Sequence, residues 1–307
     1  MRIDVHQHIW TEPLVERLAA RSALPLIRHT DGLCVLHSAA EQPYVIDLDA
    51  EAPARRGALV SDDGLDLALI AISSPIGIEA LPRDEALELI EAHLMGVEAF
   101  PAQFAAWGPI ALDGADPEDV DALADRGCVG VSLPAGAIAT PERLDALGPV
   151  LARAAALELP VFVHPGRACR ERGAAADFGE PLWWRALTDY VGQMQAAWLT
   201  FACFGRREHP SVQIVFAMLA GGAPLHAERL ASRGGPDVAR RDPLTYYEIS
   251  SYGPAAIDPI ASLVGKGQIL YGSDRPVVEP VRGPQDAALQ VRSAAALGLA
   301  AAEAVAV

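Results

Sequence analysis

Eight short apolar runs, each separated from the next by a stretch suited to helix, confine this chain to very few folds. The runs occupy residues 3–5, 67–72, 105–111, 129–133, 161–163, 213–217, 246–249 and 268–271. They are apolar with little alternation, so both faces of each strand are expected to be buried, as in a parallel sheet covered by helices. Between them lie segments such as "RDEALELIEAHLMGVEAF", "DPEDVDALADRG" and "TPERLDALGPVLARAAALEL". Two of these open on a capping residue followed by proline, Asp116–Pro117 and Thr140–Pro141. Eight strand–helix units in 307 residues predict one (β/α)8 TIM barrel spanning residues 1–307 as a single domain. An open doubly wound sheet would place a glycine-rich turn after the first strand. The residues there read "HQHIW".

Two regions break the rhythm. Residues 11–64 form a long insertion after the first strand, and residues 166–210 follow the fifth and carry Trp183, Trp184 and Trp198. In a barrel, connections that leave the C-terminal ends of strands build the mouth, where substrates bind. Residues 283–307 are expected to form a final amphipathic helix and an Ala-rich tail.

Asp and Glu outnumber Lys and Arg by 40 to 24, a formal net charge of −16. Such a surface argues against nucleic acid or an anionic membrane as a partner. The four cysteines, Cys34, Cys128, Cys169 and Cys203, form no closely spaced pair, as expected of reduced thiols. Neither a basic segment leading an apolar stretch at the N-terminus nor a membrane-length apolar run is present, so a soluble cytoplasmic protein is expected.

The polar residues that interrupt this apolar pattern fall at strand ends. His6 and His8 end the first strand on one face, because strand side chains alternate. His164 ends the fifth in "LPVFVHPG", and Asp274 follows the eighth in "ILYGSDRP". A single histidine or aspartate at such a place is as often a core histidine or a helix cap. Four ligand-type residues at the same end of three strands form the arrangement that a catalytic metal requires.

The stretches "DVHQH", "GCVGVSLP", "ELPVFVHPG", "HPSVQIVFAMLAGGAPLHAERL", "YYEISSYGP" and "ILYGSDRP" occur in order over about residues 1–282. In this set the chain resembles the amidohydrolase superfamily. The likeness is to the amidohydrolase-related branch that contains aminocarboxymuconate-semialdehyde decarboxylase and the resorcylate-type decarboxylases. "DVHQHIW" and "GSDRPV" are also similar to the sugar-lactone hydrolases, some of which work without a metal. The resemblance implies one divalent metal ion, with zinc expected and manganese or iron(II) as alternatives, held by His6, His8, His164 and Asp274. It also implies that Asp274 transfers protons.

One position departs from the family pattern. The sixth strand should end in a histidine, yet counting back from Pro224 and Arg229 places Met218 there. A thioether performs no acid–base chemistry and is a poor ligand for a hard cation. Met218 is therefore expected to be a pocket wall, with His226, eight residues on, as a candidate substitute. By resemblance Arg229 reaches a substrate carboxylate, in some members across a dimer interface, which implies a homodimer. Arg275 beside Asp274, and Arg167, Arg170 and Arg172 after His164, favour a small anionic substrate. Trp184, with Trp183, is expected to flank the pocket from a loop.

A bound divalent cation lowers the pKa of its water from about 16 to about 7. Hydrolysis then needs a base, which Asp274 supplies, so it tolerates the change at 218 better than a decarboxylation that depends on the missing histidine. The expectation is a metal-dependent hydrolase using a metal-activated water on a small carboxylated cyclic or aromatic substrate. A metal-dependent non-oxidative decarboxylase is the alternative. A metal-free lactonase or a non-catalytic binding protein is the third reading.

Overall fold

A computed structural model describes residues 1–168, 179–181, 183–238 and 241–299. Arg170, Arg172, Cys169 and the tail from residue 300 lie outside the described residues. The chain opens with β1 (Ile3–Gln7) and α1 (Glu12–Ala20), then β2 (Leu26–Thr30), β3 (Leu33–His37), β4 (Tyr44–Ile46) and α2 (Pro53–Asp62). Alternation then sets in, with β5 (Leu67–Ile70), α3 (Arg83–Glu98), β6 (Phe104–Pro109), α4 (Pro117–Asp125), β7 (Gly130–Pro134), α5 (Pro141–Ala146) and α6 (Gly148–Ala156). It continues through β8 (Val161–His164), α7 (Trp183–Thr200), α8 (Arg206–Glu208), β9 (Ile214–Phe216) and α9 (Ala227–Ser232). The last elements are β10 (Thr245–Glu248), α10 (Pro254–Val264), β11 (Ile269–Leu270) and α11 (Asp286–Ala296).

Strands β1 and β5 to β11 pair in parallel in chain order, and all eight overlap the apolar runs of the sequence. The two edges then meet. Val5 N–H donates to Tyr271 O (3.0 Å), Asp274 N–H to His6 O (2.8 Å) and His8 N–H to Arg275 O (2.7 Å). These bonds join β1 to the segment that follows β11 and bring the sheet round into the (β/α)8 barrel. The expected caps are present: Asp116 accepts from Glu118 N–H in a capping box with Asp119, and Thr140 accepts from Arg143 N–H.

Aromatic rings fill the space below the mouth. Trp107 stacks on Phe162 at 5.1 Å and donates its indole N–H to Val5 O at 2.9 Å. Phe162 in turn meets the His6 ring at 5.0 Å. A Cβ on Gly130 would lie 2.3 Å from Pro160 O and 2.5 Å from the Trp107 ring, so glycine is what admits the indole.

The insertion carries a small antiparallel sheet, β2–β3–β4, separate from the barrel sheet. Its hairpin turns on Asp31–Gly32, both left-handed (φ 51° and 80°), as the twist of a two-residue hairpin demands. The insertion is tied to the mouth by Arg56, which donates to Gln7 Oε1 (2.9 Å), and by Glu51, which accepts from Trp10 N–H (3.1 Å). It also reaches the head of α7, where Arg185 donates to Ala40 O (2.5 Å). Trp183 and Trp184, expected in a loop, instead open that helix. Among the described residues no helix is long and apolar enough to cross a membrane.

Two glycines give opposite predictions. Gly130→Ala forces a methyl into backbone and indole and is expected to lower stability by about 1–3 kcal/mol. Gly192→Ala, on an exposed turn of α7 with open space around it, is expected to raise stability by about 0.5–1 kcal/mol. Denaturant unfolding midpoints of the two variants check both signs.

Candidate metal centre

The seam sets the site. His6 lies in β1 and His8 just beyond it, His164 is the last residue of β8, and Asp274 follows β11 in a left-handed backbone conformation (φ 59°). One donor atom from each of these four residues lies within 4.8 Å of the other three, an arrangement able to hold a metal ion. The ring centroids stand 4.9–5.0 Å apart in all three histidine pairs. Asp274 Oδ1 lies 3.1 Å from His8 Nε2 and 3.5 Å from His6 Nε2.

The far side of each ring decides which nitrogen faces inward. His8 Nδ1 is 2.7 Å from Ala71 O, and His164 Nδ1 is 2.9 Å from Pro165 O. A carbonyl only accepts, so both Nδ1 atoms carry the proton and both Nε2 atoms keep a lone pair. His6 Nδ1 is 3.2 Å from the Glu248 carboxylate, with the same consequence. His6 Nε2 and His8 Nε2 then stand 3.2 Å apart with lone pairs toward each other. Two nitrogens each about 2.0–2.1 Å from one tetrahedral ion would be separated by about 3.3–3.4 Å. The residues fit a divalent cation.

Charge acts unequally on the imidazoles. Burial opposes protonation of His6, but without a cation Glu248 and Asp274 outweigh it and raise the ring to about 8, so a metal ion would displace the proton from its Nε2. Burial, with His6 and His8 nearby, holds His164 well below its ordinary value.

Sequence reasoning passed over Glu248. It ends β10, is fully buried, and receives His6 Nδ1–H, Met218 N–H (3.0 Å), Ser250 N–H and Ser250 O–H (2.9 Å). A Cβ on Gly272 would lie 2.2 Å from Glu248 Oε1, so the neighbouring strand makes room for the carboxylate. The only signal was an acid at the end of an apolar strand in "YYEISS".

The remaining expected residues divide. Met218 is partly buried against the core and touches the site through its amide bond to Glu248. Arg275 is buried, and its guanidinium meets Asp63 (3.3 Å) and Glu279 (3.0 Å). These two acids pair the guanidinium within the chain. Arg229 and His226 are exposed on and beside α9, Trp184 is exposed next to Trp183, and Arg167 faces Asp189 at 3.4 Å. Tyr190 of α7 hydrogen-bonds Glu41 of the insertion. Burial, Glu41 and Asp274 together raise its phenol far above the ordinary value, which places this pair within reach of the Asp274 charge.

A second buried acid supports the loop after His164. Ser74 hydrogen-bonds Glu79 Oε1, while Oε2 has no partner among the described residues. Ser74 packs on Gly166, where a Cβ would lie 2.7 Å from the serine Cβ. Burial raises Glu79 to about 7 against the opposing Ser74 bond.

The sequence matches the amidohydrolase family model, Amidohydro_2, over residues 3–307. No curated protein matches it significantly. Among solved structures it is similar to IDCase of Metarhizium anisopliae in its apo form (19% identity, TM-score 0.69, 99% of this chain and 92% of that one). It is also similar to 5-carboxyvanillate decarboxylase of Sphingomonas paucimobilis (17%, 0.66, 98% and 96%). A third similar structure is the dihydroxybenzoic acid decarboxylase of Polaromonas sp. JS666 with bound manganese and the inhibitor 2-nitroresorcinol (13%, 0.67, 100% and 99%). At these identities the likeness establishes a shared fold.

Glu79 holds its proton more tightly in the folded chain than in the unfolded one. Its stabilising contribution is complete below its ordinary value of 4.5 and is lost as pH rises through about 7. Glu79→Gln mimics the neutral acid and is expected to abolish that loss. The variant should match the parent near pH 4.5 and exceed it by about 1–3 kcal/mol at pH 8. Denaturant midpoints across that range test the idea, and parallel profiles for the two proteins would refute it.

Proposed function

Because this chain belongs to the amidohydrolase family, we propose that it is a divalent-metal-dependent enzyme that decarboxylates a small cyclic or aromatic acid. His6, His8, His164 and Asp274 hold the metal, and Asp274 moves the proton. The observation that carries this reading is the convergence of three bare Nε2 atoms and one carboxylate at a single point. Three imidazoles and a carboxylate suit zinc, while the Polaromonas relative carries manganese.

A cation bound there supplies Lewis acidity toward a substrate oxygen. Everything else falls to the chain. Asp274, at 19% exposure the most accessible of the four side chains, is the group that can exchange a proton with a substrate. In the reaction the bond from ring carbon to carboxylate breaks, and its electron pair stays on the ring carbon. That carbon takes a proton from Asp274, and CO₂ leaves. The balance requires one proton, which one carboxyl group provides. Phe162, fully buried beneath His6, and the partly buried Met218 make the surroundings of the centre apolar. Removing water from a carboxylate favours loss of CO₂, because the developing carbanion spreads the charge that water had stabilised. The end-to-end likeness to two decarboxylases supports the same reaction.

Hydrolysis is the second reading, and Met218 favours it. With a thioether in place of the family histidine, Asp274 is left as the proton acceptor, and hydrolysis needs only that base beside the metal.

Protein purified without a histidine tag is expected to hold about one equivalent of metal, lost in His6→Ala and in His164→Ala. Against a panel of carboxyl-labelled cyclic and aromatic acids it should release labelled CO₂. Asp274→Asn should lower kcat by about 10²–10⁴-fold. Ester or lactone cleavage without CO₂ would move the assignment to hydrolysis. A chain that cannot be loaded with metal would sink both readings.

A further inference from the structure

We propose that Glu248 is the positioning residue of this centre. Through one oxygen it fixes the His6 ring, and through the same oxygen it holds the strained turn that bears Met218. The inference rests on the metal-centre reading above and deepens it.

Glu248 Oε2 lies 3.2 Å from His6 Nδ1, 3.0 Å from Met218 N and 2.9 Å from Ser250 Oγ, while Oε1 accepts from Ser250 N–H. Every contact is with a donor, so the carboxylate acts purely as an acceptor. The proton shared with His6 therefore belongs to Nδ1, and Nε2 is left to face the centre. His8 and His164 are oriented by uncharged carbonyls from Ala71 and Pro165. On the Nδ1 side His6 alone among the three has an anionic partner, which makes its Nε2 the most electron-rich donor of the set.

The second bond reaches the turn that begins at Met218. Residues 218 to 222 all adopt left-handed backbone (φ 43°, 52°, 54°, 60° and 77°), and the first three are Met, Leu and Ala. Such a run persists only where its surroundings fix it. Leu219 and Ala220 are fully buried, and the Met218 amide is fixed by Glu248. The carboxylate thus couples ring orientation to the position of the residue that replaces the family histidine.

The test is zinc affinity, measured by competition with a chelator, for the parent and for Glu248→Gln. Unfolding midpoints of both proteins without metal are read alongside. The amide keeps the size of the carboxylate but places an N–H₂ group against donors. Zinc binding is expected to weaken about 10–100-fold with little change in the metal-free midpoint. Affinity within threefold of the parent, or a loss that only tracks a lowered midpoint, would overturn the proposal. The parent supplies an independent check should the variant not fold. In the histidine ¹⁵N spectrum of the zinc-loaded protein, His6 must carry its proton on Nδ1 and bind through Nε2. The opposite tautomer would overturn the assignment. If the parent itself binds no zinc or manganese, the metal-centre reading fails instead, and the two failures remain distinct.

Discussion

The site exists because the sheet closes where it does. Three hydrogen bonds between β1 and the segment after β11 shut the barrel, and their backbone groups belong to the stretches that carry the candidate ligands. Asp274 N–H meets His6 O, and His8 N–H meets Arg275 O. A chain that failed to close here would lose ligands from its first and last strands together. The left-handed conformation of Asp274 follows from the same seam: the chain must turn sharply after β11 to run beside His6 and His8. Aspartate tolerates that conformation better than most residues. Arg275 and Arg282 on Asp63 tie the seam to the insertion side of the molecule.

Much of this was legible because strand burial and strand order leave strong marks in sequence. Apolar runs located all eight barrel strands, and Asp116 and Thr140 marked helix starts by chemistry that acts within four residues. His6, His8, His164 and Asp274 could be brought together by arguing that strand ends share a face of the barrel. Contacts that depend on tertiary partners stayed hidden. Nothing local distinguishes Glu248 from an acid capping the next turn, since its role requires His6 from a strand 242 residues away. The pairing of Arg275 with Asp63 likewise has no local mark, since Asp63 lies far away in the sequence. The hairpin at Asp31–Gly32 did have a local signal, an Asp-Gly pair between apolar runs.

Met218 shows how a departure from a family pattern can be read physically. A left-handed backbone costs a non-glycine residue about 1–2 kcal/mol, and three such residues stand in a row at 218–220. Burial of Leu219 and Ala220 and the Glu248 bond act against that cost. What this turn supplies to the site is backbone: the Met218 amide completes the donors around Glu248, while its thioether has no acid–base chemistry to offer.

Two carboxylates beside the same histidine thus have separate duties, and their surroundings account for the division. Glu248 is wholly buried and accepts at every contact, so its oxygens are committed to His6, Met218 and Ser250. Asp274 is part-exposed, and its Oδ1 faces the Nε2 atoms of His6 and His8. A proton on Asp274 breaks none of the hydrogen bonds that hold the rings, because these run outward from the Nδ1 atoms. In the proposed reaction the outer carboxylate would carry the proton, while the inner one keeps the His6 ring and the Met218 turn in place. That separation would leave three imidazoles to hold the metal while a proton moves.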